Sequence, residues 1–234
     1  MRLSILRLLR GTAIAFGALL GILVLGLLFV PPATRWYTDS WGATPEEVAA
    51  VLPGDDVVPA EREISTKAVT IAAPPEVVYA LIQQMGQHRA GWYGWDWFYH
   101  ATKSSDFIDG HYSTRIVPEL QDVAVGDEIW INDAVAYEVV ELVPNESFVM
   151  YTGSVSHEEL ASTPLPETWS ANTMAWVLTP TSDGGTRLVV RLRADGTDTG
   201  FTRWLWNGPL NFGGALFSHK TMMGIKRTAE ALED

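Results

Sequence analysis

Hydrophobic positions along the chain fall into three regimes. The first has no period: residues 12–30 run for 19 positions without a charge, and only Thr12 among them is polar. A helix over that stretch would span roughly 29 Å, close to the ~30 Å hydrocarbon core of a bilayer. Arg2, Arg7 and Arg10 precede it with no acid among them, so the charge bias predicts one transmembrane helix, with a cytoplasmic N-terminus and an extracytoplasmic domain. The competing reading is a cleaved secretory signal. Its apolar core is usually shorter, and Pro31-Pro32-Ala33-Thr34-Arg35 makes a poor cleavage site. Residues 1–35 are therefore read as a cytoplasmic stub and membrane span, with Trp36 and Tyr37 placed as interfacial anchors.

Residues 36–63 form the second regime, a linker or collar. Pro45, Pro53-Gly54-Asp55-Asp56 and Pro59 break any periodicity, and Thr44-Pro45-Glu46-Glu47-Val48 can start a single helical turn. Regular patterning opens the third regime, a domain over 64–234. Val69 and Ile71 alternate with polar neighbours in a first strand. Val77, Val78, Leu81, Ile82 and Met85 then recur at helical spacing up to Gly86. Period two returns in Glu128–Ile131, Ala136–Leu142, Phe148–Thr152, Asn172–Leu178 and Thr186–Arg193. In the last of these Leu188, Val190 and Leu192 alternate with Arg187, Val189, Arg191 and Arg193, one face buried and one wet, as in an antiparallel sheet. Asp183-Gly184-Gly185 supplies a hairpin turn before it. A long amphipathic helix closes the chain from about Asn211 to Leu232, with Ala215, His219, Met222, Ile225, Ala229 and Leu232 on one side. These elements predict an α+β fold: a curved antiparallel sheet around a long C-terminal helix, with a mainly apolar cavity between them, preceded by the transmembrane helix.

Charge and cysteine content narrow the function. The whole chain carries −12, but residues 36–234 hold 12 basic and 28 acidic side chains, a net charge of −16. Nucleic-acid binding needs a positive footprint and is excluded as a general activity. The chain has no cysteine, which excludes disulfides, thiolate catalysis and cysteine-ligated metals. No nucleotide-binding loop, strand–helix repeat or nucleophile elbow is present, so no cofactor is expected.

The order strand, helix, strands, long helix resembles the START/Bet v 1-like helix-grip superfamily, in the broad SRPBCC or polyketide cyclase/dehydrase-like group. Thr70-Ile71-Ala72-Ala73-Pro74-Pro75-Glu76-Val77-Val78 is similar to that group's first strand and helix start. Gln84-Met85-Gly86-Gln87, Gly91-Trp92-Tyr93-Gly94-Trp95-Asp96-Trp97, Ile116-Val117-Pro118-Glu119-Leu120-Gln121 and Val125-Gly126-Asp127 resemble strings of a membrane-anchored subgroup of uncharacterised proteins. The resemblance implies a cavity that takes lipid-like molecules, or cyclase chemistry, without choosing between them.

The densest chemistry lies between Gln83 and His111, where six of the eight residues from Trp92 to Tyr99 are aromatic. Such rings gate a flat or greasy ligand, or they plug the open end of the cavity themselves. Asp96, if buried, is a candidate acid or base; otherwise it caps a helix or accepts backbone N–H bonds. His88 is the second proton-transfer candidate. The spacings of His88, His100 and His111 match no metal pattern, and no metal site is expected. Arg115 either holds an acidic ligand group or pairs with Glu119 or Asp127. Gln84 either contacts a ligand or holds the following loop. His219 orients a ligand or is a satisfied core histidine, and Trp204 belongs to a lid or to a packed helical turn. The leading reading is a membrane-anchored binding domain for a small hydrophobic or amphipathic molecule. Its ligand contacts are Gln84, Trp92, Tyr93, Trp97, Arg115, Trp204 and His219, with the lipid bilayer a partner through residues 12–30. One alternative is a cyclase or dehydratase using Asp96 or His88. The other is a non-catalytic structural or interaction domain whose cavity is self-filled.

Overall fold

The computed structural model describes residues 34–58, 62–161, 164–197, 199–205 and 210–233, together with Gly17, Gly21, Val24 and Gly26. Two helical turns come first, α1 (Arg35–Ser40) and α2 (Pro45–Ala49). Strand β1 (Glu63–Ile71), helix α3 (Pro75–Gln83) and the short α4 (Asp96–Ala101) follow. Next come β2 (Glu128–Asn132), β3 (Val135–Val143), β4 (Ser147–Gly153), the turn α5 (His157–Leu160), β5 (Ser170–Pro180) and β6 (Thr186–Gly196). Helices α6 (Gly200–Leu205) and α7 (Asn211–Glu233) end the chain. The strands form one antiparallel sheet in the order β1-β6-β5-β4-β3-β2. Register irregularities at Trp130/Asn132 and Val139/Glu141 interrupt the ladder at the β2–β3 side, where such bulges bend strands.

A curved antiparallel sheet with a long C-terminal helix is the helix-grip arrangement. The membrane part of the expected fold is corrected. Among the described residues no helix is long and apolar enough to cross a membrane. Residues 12–30 lie outside the described residues except for Gly17, Gly21, Val24 and Gly26. The expected transmembrane helix, the single-pass location at the cell membrane and the bilayer as partner thus have no structural support and are not carried further.

Local chemistry explains the elements. Pro74 and Pro75 occupy the N-cap and first turn of α3, where a missing N–H costs nothing, and Val78, Leu81 and Ile82 bury one face. Helix α7 buries Ala215, Thr221, Met222, Gly224, Ile225, Thr228 and Ala229. Met222, Ile225 and Ala229 share one core with Ile71, Phe148, Met150, Trp176, Leu188 and Val190 from the concave face of the sheet. At about 25 cal/mol per Å² of apolar surface removed from water, this shared core is the main stabilising term.

The opposite face of β6, expected to be wet, is covered. Helix α2 is held by a capping box between Thr44 and Glu47. It lies with residues 50–58 over an arginine ladder. Arg187 grips both carboxylate oxygens of Glu47 (2.7 and 2.8 Å) and donates to Gly42 O (2.7 Å). Arg191, 3 % exposed, donates to Asp55 Oδ2 (2.7 Å), Ala50 O (2.6 Å), Glu47 O (2.8 Å), Val48 O (2.9 Å) and Thr66 Oγ1 (3.0 Å). Arg193 donates to Val58 O (2.8 Å). The guanidiniums tolerate burial because the collar's carbonyls and carboxylates satisfy their N–H groups. Beside them Val58, Tyr151 and Ala171 form a second small core.

Candidate functional site

The aromatic segment is reached through the turn after α3. Gln84 ends that helix and is fully buried. Its Nε2 donates to Tyr93 Oη (2.7 Å) and Arg115 O (2.9 Å), and its Oε1 accepts from Val117 N (2.9 Å) and Gln121 Nε2 (3.1 Å). Both ends of the amide are therefore used, and they tie two loops to the helix.

Those bonds place the rings inward. Trp92 is 7 % exposed, Tyr93 is fully buried and Tyr99 is 8 % exposed, all within the main core. Tyr93 holds a left-handed backbone at φ 54°, a conformation an L-residue adopts only when its surroundings over-determine it. Its carbonyl and Cβ lie against Gly224 of α7, so close that a Cβ on Gly224 would meet Tyr93 Cβ at 2.8 Å. Thr221, one turn earlier, donates its hydroxyl to Trp92 O at 2.8 Å. Burial pushes the Tyr93 and Tyr99 phenols well above their ordinary value. Both stay protonated at neutral pH and act as hydrogen-bonding rings rather than bases. Two indole donors, Trp92 Nε1 and Trp176 Nε1, are buried without a hydrogen-bond partner.

The two proton-transfer candidates sit elsewhere. The His88 side chain is half exposed; its Nδ1 lies 2.9 Å from the largely exposed Asp106 and its Nε2 3.8 Å from Asp133. Asp96 opens α4 and accepts from Tyr112 N at 3.3 Å. Trp97 projects outward, 68 % exposed. Arg115 pairs with Asp109 at 3.1 Å, where Glu119 or Asp127 was expected. His219, on the buried side of α7, stacks on Trp41 with ring centroids 4.0 Å apart and bonds Tyr37 Oη through Nδ1 at 2.6 Å. Burial holds its pKa below the ordinary value. Trp204 lies in α6, and its side chain is outside the described residues. The structure thus brings Gln84, Trp92 and Tyr93 together with the Arg115 backbone, and sets the side chains of His88, Trp97, Arg115 and His219 apart from them.

Sequence patterning missed Lys67. It faces the concave side of β1 opposite Val190 and is 2 % exposed, with its ammonium bonded to Ser65 Oγ. Burial lowers its pKa to about 8, partly offset by Asp39 and Glu63. The strand reading rested on Val69 and Ile71 and did not extend to Lys67, two residues earlier on the same face.

No family profile matches the chain, and no curated protein matches it. Solved structures do. Protein MLL2253 from Mesorhizobium loti is 18 % identical, covering 71 % of this chain and 98 % of its own, at a TM-score of 0.37. Protein CV1439 from Chromobacterium violaceum is 15 % identical, with coverage of 71 % and 96 % and a TM-score of 0.37. Hypothetical protein jhp0584 from Helicobacter pylori is 7 % identical, covering 77 % and 96 %, at 0.45. Likenesses at this level carry no argument about family or activity. With no membrane-crossing helix among the described residues, the resemblance read from the sequence is corrected to the helix-grip architecture alone, without the membrane-anchored subgroup.

Proposed function

We propose that this chain is a non-catalytic structural or interaction domain whose helix-grip interior is filled by its own side chains. The observation that carries the reading is the seating of Trp92 and Tyr93. Gln84 and Thr221 hold them, and α7 approaches so closely at Gly224 that the segment is part of the packed core. The acid–base reading draws less support, because His88 meets its carboxylates at the solvent and Asp96 is bonded to backbone. On this reading Gln84 and Tyr93 are positioning residues of the fold, and Trp97, 68 % exposed, is available to a partner.

Native mass spectrometry of the purified full chain tests the proposal. The expected spectrum is that of the bare polypeptide. A stoichiometric small-molecule adduct that disappears in Trp92→Phe would overturn it, since the unpartnered indole donors are what an interior guest with an acceptor group would engage.

A further inference from the structure

On the convex face of the sheet, remote from the aromatic segment, three metal-competent side chains converge. Glu138 comes from β3, and His157 and Glu158 from α5. One ligand atom from each lies within 4.8 Å of the others. The His157 ring is oriented by Tyr151, whose ring meets it edge-on with centroids 5.9 Å apart and whose hydroxyl is tied to Val155 O at 2.7 Å. His157 Nε2 lies 3.3 Å from Glu158 Oε1, while Nδ1 lies 3.4 Å from Glu138 Oε2.

The decisive atom is Nδ1. The atom itself is buried and has no hydrogen-bond partner, the Glu138 oxygen standing 3.4 Å away. A buried ring nitrogen left without a hydrogen bond is costly. The same pair has the spacing of two ligands on one ion: bonds of 2.0–2.2 Å from a tetrahedral centre put nitrogen and oxygen roughly 3.4 Å apart. The other ring nitrogen faces a carboxylate, the arrangement that fixes the tautomer and ring orientation of metal-bound histidines.

We infer that Glu138 and His157 Nδ1 are ligands for a divalent transition-metal ion of the zinc class, with Glu158 orienting the imidazole and water completing the shell. One imidazole with carboxylate oxygen selects this class over calcium and magnesium, which favour all-oxygen shells. The site lies outside the interior and owes nothing to whether that interior is filled.

The test is titration of the tag-free full chain with zinc chloride by calorimetry, with magnesium and calcium chloride as controls. Cobalt(II) serves as an optical probe of coordination. The expected result is saturable 1:1 zinc binding, little response to magnesium or calcium, and a cobalt spectrum of low coordination number. Glu138→Gln and His157→Asn should each weaken zinc binding at least tenfold, while Glu158→Gln weakens it less. Circular dichroism confirms that the variants are folded, and two independent ligand substitutions keep one misfolded variant from deciding the outcome. Absence of saturable binding, or binding unchanged in both folded ligand variants, overturns the assignment.

Discussion

Lys67 shows what one misplaced charge does to the energetics of this core. Its ammonium is taken out of water and given one neutral hydroxyl as partner. Burial lowers the folded-state pKa from 10.5 to about 8. The sign follows from linkage. Below pH 8 the lysine is charged in both states and the folded protein bears the full desolvation cost. Between pH 8 and 10.5 the folded state releases its proton first and that cost is relieved. Stability attributable to this residue therefore rises with pH across that window. Lys67→Met should stabilise the fold at pH 7 by about 1–3 kcal/mol and flatten the rise, as read by urea denaturation at pH 7, 8, 9 and 10. No stabilisation at pH 7 would mean that the amine has found polar compensation. Gln84 is the contrasting residue: also buried, it uses both ends of its amide and carries no such cost.

At the scale of elements, legibility followed burial on a single face. Strands β1 and β6 and helices α3 and α7 stand out in the sequence because Ile71, Leu188, Val190, Leu81 and Met222 repeat at the period of their element. The collar does not, because it adheres through backbone carbonyls, and a carbonyl at Ala50 or Val48 is the same whatever the side chain. Arg191 and Arg193 looked like a solvated face for the same reason. Alternation shows that a polar residue points away from the core, and is silent on what covers it. The candidate site divides similarly. The aromatic density between Trp92 and Tyr99 was visible in composition, whereas the inward seating of Tyr93 depends on Gln84 and Gly224, nine and 131 residues away. Glu138 and His157 come together only through the pairing of β3 with β4. Breaking the collar's clasp should be costly. Arg191→Ala removes the ion pair to Asp55 and three carbonyl contacts, and is expected to destabilise the protein by about 3–5 kcal/mol. Hydrogen exchange should accelerate over residues 44–58 well before the β5–β6 ladder responds; uniform acceleration would show that the collar is not a separable unit.

For the whole molecule the question is how sheet and helix close on each other. Helix α7 contacts the aromatic segment at Gly224, where Tyr93 leaves no room for a methyl group. Gly224→Ala should push the helix off that segment, lowering stability by about 1–3 kcal/mol through overpacking. It should also raise the fluorescence of a hydrophobic dye such as ANS above that seen with the wild-type chain. A variant of unchanged stability and dye response would mean that the closure is loose enough to absorb a methyl group, and would weaken the self-filled reading. His219 joins the same closure from the other side, linking α7 to Tyr37 and Trp41.

The arginine ladder also bears on where this domain can be cut. A chain trimmed to begin at Glu63 would keep all six strands and the long helix, everything by which the architecture is recognised. It would nevertheless take Asp55 and the carbonyls of Glu47, Val48 and Ala50 from Arg191, Val58 O from Arg193, and Val58 from Tyr151 and Ala171. What reads as a tether is a wall of the house, and the smallest unit with both sheet faces covered includes residues 41–58.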